Sequence, residues 1–244
     1  MIKLLSLLFS VFFIGCNLLM AQPDNSDSLQ KDLNSYDKKD TIKVVKMIKY
    51  AVSLSPNEPA RSLQVLDSAI QLSKEIDWKA GVAELYLVKG KINSRQEKYD
   101  AAIADYLLSL KLAEETHLSH AYYDLHFNLS ETYRLMGDHE FAMQHAKICY
   151  DMALAKKNED AALYAASSIG EIYSSTKQFD SATLYLDKAM KLAVKLNNEY
   201  MQDRILGAQA DILWDMGKKN WPVALALYRK NLANQEKFGS NPGT

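Results

Sequence analysis

The chain has 244 residues, a formal charge of −1, 48% apolar residues, nine Gly and five Pro. So even a charge balance excludes the basic face that nucleic-acid binding requires, and so little Gly and Pro leaves an all-β fold without its turns. The apolar share supports a continuous core, and two cysteines, Cys16 and Cys149, are too few for a disulfide framework, so packing must hold the fold.

In chain order the first element is a targeting segment, residues 1–21. Lys3 gives it a positive start, and Leu4–Ile14 is apolar apart from two Ser. That run is short for a membrane span and has the form of a cleaved signal. Two processing routes stay open, beside an uncleaved anchor. Cleavage after Ala21 leaves a polar start at Gln22, whereas Phe13-Ile14-Gly15-Cys16 has the form of a lipoprotein box that would put a lipid on Cys16. Either route exports the chain to the periplasm or cell envelope. Residues 22–39 follow as a linker and a short capping helix, with Leu29, Leu33 and Tyr36 along one face.

From 40 to 238 the sequence repeats itself every forty residues, and 239–244 is a tail. Tyr99-Asp100-Ala101-Ala102 returns as His139-Glu140-Phe141-Ala142 and as Phe179-Asp180-Ser181-Ala182. Small residues recur at Ser62, Ala102, Ala142 and Ala182, and again seven positions on at Ala69, Ser109, Cys149 and Ala189. A third series runs Gly90, Ser130, Gly170 and Ala210, broken at Tyr50. Helices that approach to roughly 8–10 Å need small side chains where they cross. Bulkier residues, such as Leu66, Tyr106 and Leu186, then fill the layers between. One helix pair cannot bury its apolar face alone, so stacking is required. The pattern predicts an all-α fold, an α-solenoid of about five helix-turn-helix repeats.

The order Gly90, Tyr99, Ala102, Tyr106, Ser109, repeated as Gly170, Phe179, Ala182, Leu186, Ala189, resembles the tetratricopeptide repeat family. The fifth copy carries Ala210, Gly217, Trp221, Ala224 and Tyr228 with two extra residues in its turn. The period exceeds the family's usual ~34 residues, and longer helices account for the surplus without an added loop. Elongated repeats behind an exported leader are similar to the extracytoplasmic sensor regions of bacterial membrane-bound histidine kinases and helix-turn-helix regulators. The resemblance implies a protein-interaction module, with a sensory part of a signalling protein and a freestanding envelope scaffold as the two forms it could take.

Catalytic and metal chemistry find no convergent set. His139-Glu140 is followed by His145, and six residues turn a helix about 240°, so the pair cannot face one metal. His117, His120 and His126 lack a carboxylate or thiolate at matching spacing. Cys149 occupies a small-residue slot and reads as a packed thiol. No enzyme activity, cofactor or metal is expected.

In the family the first helix of each pair lines the concave face. Carried over to this sequence, the resemblance implies a partner-binding groove of Glu84, Leu87, Lys91 and Arg95, then Asp124, Phe127, Glu131 and Arg134. Tyr164 and Glu171 continue it, followed by Arg204, Asp211 and Trp214. Mixed charge with interspersed aromatics suits a protein or peptide ligand. No nucleic acid is expected, and membrane contact only through the leader, a lipid on Cys16 or a segment beyond Thr244.

Overall fold

A computed structural model describes residues 25–239, and the leader, Cys16 and residues 240–244 lie outside them. The described residues form eleven helices: α1 (Ser26–Asn34), α2 (Thr41–Leu54), α3 (Pro59–Glu75), α4 (Lys79–Arg95), α5 (Tyr99–Glu115) and α6 (Ser119–Met136), then α7 (His139–Ala155), α8 (Glu159–Ser175), α9 (Phe179–Lys195), α10 (Glu199–Asp215) and α11 (Trp221–Gly239). None of them is long and apolar enough to cross a membrane. Helices of 17 residues with three-residue connections fill the forty-residue period, so helix length absorbs the surplus over the family's usual repeat.

The connections share one geometry. Positive φ occurs at Asp77, Glu97, His117, Gly137, Lys157, Lys177, Asn197 and Gly217, one residue in every twenty. At each of the first seven the helix closes in the same way. In α8 the Gln178 amide donates to the Tyr173 carbonyl at 2.9 Å and the Lys177 amide to Ser174 at 2.9 Å. These bonds satisfy carbonyls that the helix end would leave open, with the left-handed residue making the reversal. The next residue then starts the following helix. Asn158 accepts from the Ala161 amide at 3.0 Å and Asn198 from Met201 at 3.0 Å.

The chain divides into two compact units, residues up to 92 and from 93. In the first, α1 packs on α2 and α2 on α3. Leu29, Leu33 and Tyr36 are the half-buried side of the opening segment, as a cap requires, and Tyr36 donates to Asp40 at 2.7 Å. Ser62, a member of the first small series, is fully buried and donates to the Ala51 carbonyl at 2.6 Å.

In the second unit each helix from α5 to α11 packs on the next, and α8 also touches α6 and α10. Ala102, Ala142, Ala182 and Ala224 are all fully buried, as are Ser109, Cys149 and Ala189. A Cβ on Gly170 would stand 2.8 Å from the Leu186 side chain and 3.2 Å from its backbone nitrogen, so α8 and α9 meet where only glycine fits. Leu163 of α8, Leu186 of α9 and Met201 and Ile205 of α10 share one core cluster, each fully buried. Each such side chain contributes about 1.5–3 kcal/mol through removal from water. Burial also pushes the Cys149 thiol far above its ordinary range, leaving it inert.

Candidate functional site

The first helices of the second unit, α6, α8 and α10, lie side by side. They bring together four residues that the sequence placed in three separate repeats. Arg134 Nη2 donates to Glu131 Oε2 at 2.9 Å. Arg204 grips Glu171 with two bonds, Nε to Oε1 and Nη2 to Oε2, each 3.0 Å. The pairs also cross: Arg134 Nη2 lies 3.7 Å from Glu171 and Arg204 Nη2 lies 3.8 Å from Glu131. Ser168 adds a 2.6 Å bond to Glu131, and Ser167 one of 3.3 Å to Glu171.

These side chains are 15–32% exposed, so their charges are only partly solvated. Burial pushes the Glu131 carboxyl up, but Arg134, Ser168 and Arg204 outweigh it and hold the group below the usual carboxylate range. Burial likewise opposes charge on Arg134 and Arg204, and the two glutamates reverse that, strengthening both cations. The result is a charge lattice that ties three repeats together.

Other predicted groove residues surround it. Phe127 meets the Tyr164 ring edge-on at 6.2 Å and stacks with Tyr123 at 6.2 Å. Asp124 is half-buried. Asp211 is exposed and accepts the Tyr228 hydroxyl at 2.5 Å. Trp214, 40% exposed, stacks on Trp221 at 4.6 Å, and Trp221 Nε1 donates to the Trp214 carbonyl at 3.1 Å. On α4, Glu84 and Lys91 are half-buried and Arg95 is exposed. Leu87 departs from expectation: it is 1% exposed and belongs to the core, because the α4 stripe that turns inward takes it in along with Ala83.

A cleft of about 430 Å³ opens beside the lattice, bounded by Arg134, Glu171, Ser174, Arg204, Gly207 and Asp211. Sequence reasoning missed Ser168, Gly207 and Tyr228. The signal was present for the first two, since Ser168 and Gly207 stand at the same forty-residue offsets from Asn128 and Phe127 that organise the whole chain. It also missed that α6 and α7 bring His126 and His145 together, with Nδ1 atoms 2.8 Å apart. Tyr133 stacks flat on His145 at 5.7 Å and Phe141 on Tyr133 at 5.2 Å. Among the described residues no three His, Cys, Asp or Glu side chains gather where they could hold a metal ion.

Residues 83–116 and 164–193 match the family model described as Tetratricopeptide repeat. Comparison with curated proteins returns no match. Among solved structures, the chain is similar to the crystal structure of BtubC (BKLC) from P. vanneervenii, with a TM-score of 0.71 at 13% identity over 90% of each chain. At that identity the likeness concerns the fold alone. The crystal structure of MamA protein has 22% identity over 70% of this chain and 79% of that one, but its TM-score of 0.43 is too low to bear on the fold. Two segments match the tetratricopeptide repeat in sequence, and they lie within helix pairs that recur every forty residues, a repeat fold that suggests a protein-interaction module.

Proposed function

We propose that the chain is an envelope-side interaction module whose first-helix face in the second unit binds a segment of another protein, as the sensory part of a signal-transduction protein. The observation that carries the binding surface is the run of Phe127, Tyr164 and Trp214 around the Glu131–Arg204 lattice on α6, α8 and α10. Aromatic and arginine side chains beside an open cleft are the chemistry that protein hot spots use. The exported location rests on the leader-like residues 1–21, and the sensory role on the resemblance of elongated repeats behind such a leader. In this reading the module works by binding.

The test is affinity for the partner that co-purifies from the cell envelope. Phe127→Ala and Trp214→Ala are each expected to weaken binding about ten- to hundredfold, roughly 1–3 kcal/mol, with helicity retained in circular dichroism. Lys188→Glu on α9 is expected to do little, because Lys188 is exposed on a second helix and lies 4.5 Å above the Tyr185 ring. Normal binding by both aromatic variants beside a failing Lys188 variant would move the surface to the second helices.

A further inference from the structure

Glu131, Glu171 and Asp211 are successive members of one forty-residue series on α6, α8 and α10. Arg134 and Arg204 neutralise the first two. The third, Asp211, has no cationic partner among the described residues. Where Arg134 follows Glu131 by three residues, Trp214 follows Asp211, and the Asp211 carboxylate accepts a hydroxyl from Tyr228. Asp203, 7% exposed, accepts from Asn234 Nδ2 at 2.5 Å and also has no cationic partner among the described residues. The cleft is bounded by both aspartates.

A second series explains why there is a cleft at all. Phe127, Ser167 and Gly207 are equivalent positions, and the side chain shrinks from ring to hydroxyl to hydrogen along the unit. A Cβ on Gly207 would meet nothing within 4 Å, so the space above it is open. Its 430 Å³ falls in the range of small-ligand clefts, about 300–1,000 Å³.

We propose that this cleft is a subsite for one basic side chain, Lys or Arg, of a bound peptide, with Gly207 as its floor and Asp211 as its counter-charge. The proposal rests on the reading that the first helices of the second unit bind a protein segment. An anionic group is disfavoured there, because both guanidinium groups are already held by Glu131 and Glu171. A guest cation instead supplies the charge that the third rung of the series lacks; Asp211 is exposed, so the pairing selects which side chain enters more than it adds affinity. Arg134 also bounds the cleft, and its Nε is buried without a partner. A main-chain carbonyl of the peptide would satisfy that donor.

The experiment pans a phage-displayed library of random linear peptides against the full chain and measures the enriched peptides by fluorescence anisotropy. Enriched sequences are expected to share one Lys or Arg. Its replacement by norleucine and Gly207→Leu should each weaken binding by about tenfold or more, and Asp211→Asn by about two- to fivefold, as an exposed ion pair allows. Gly207→Leu plugs the cleft while replacing glycine with a better helix former, so its melting temperature should not fall. Asp211→Asn keeps an acceptor for Tyr228 and removes only charge. Enriched peptides with no shared basic residue, or binding that survives both cleft variants yet falls with Phe127→Ala, would overturn the subsite and leave the wider surface standing. No enriched peptide, or binding indifferent to all three variants, would sink both.

Discussion

At the scale of single residues, the positive-φ positions carry the clearest energetic consequence. Six of the eight are not glycine, and each holds φ between 51° and 59°. A side chain in that region costs roughly 1–2 kcal/mol, while glycine gives back about 0.4–1 kcal/mol through the freer unfolded chain. Lys177→Gly, at an exposed position, is therefore expected to stabilise the second unit by about 0.5–1 kcal/mol in urea unfolding. A loss of stability would show that the Lys177 side chain does something its position does not suggest. The His126–His145 pair makes a pH prediction. Burial lowers His145, with His126 adding to it, to about 4. Burial likewise lowers His126, against the pull of Glu114. A histidine lowered in the folded state binds its proton more readily when unfolded, so stability is complete above about 6.5 and falls as pH drops toward 4. His145→Gln should flatten the decline in melting temperature across that window; an unchanged slope would place the sensitivity outside this pair.

At the scale of elements, the lattice joins α6, α8 and α10 through side chains and not through apolar packing alone. Its strongest link is the two-bonded Arg204–Glu171 pair. Removing one partner strands the other charge at 15–32% exposure, so each single change should cost more than the pair is worth. A double-mutant cycle of Glu171→Gln and Arg204→Met is expected to give a coupling of about 1–3 kcal/mol, weaker at high salt. Coupling near zero would mean that the stack of helices positions these groups without drawing stability from them. Leu87 left the predicted groove because, at 1% exposure, it belongs to the inward stripe of α4, so the exposed face of that helix is narrower than the family pattern suggests.

At the scale of the whole molecule, stability in a repeat protein is nearly a sum over neighbours. The lattice, the cleft and the aromatic run all belong to the second unit, where the small-residue series is also most regular. The first unit contributes its own core at Val44, Leu54 and Leu66, each 0–2% exposed, and the capping segment through Tyr36. The fifth pair departs from its neighbours in the way the sequence indicated. Its connection runs from Met216 to Asn220, two residues longer than the three-residue connections elsewhere, and the Asn220 amide closes it on the Gly217 carbonyl at 2.9 Å. That longer turn sets Trp221 against Trp214 at one edge of the proposed surface.

The sequence by itself determined the period, the helix pairs, the buried small residues and the inert setting of Cys149, because each follows from spacing along the chain. Helix geometry converts spacing into a face without reference to anything distant. The candidate face came instead from the tetratricopeptide resemblance, and its Phe127, Tyr164 and Trp214 lie on α6, α8 and α10. What the tertiary structure alone decided is which charges meet and where space is left. Glu131, Arg134, Glu171 and Arg204 carry long side chains that reach across repeats, so their pairing depends on how three helices lie together. His126 and His145 meet across one hairpin for the same reason. The cleft at Gly207 is a difference between equivalent positions. It exists because the stack holds the backbone fixed while the side chain is removed, and only neighbouring helices give that absence walls.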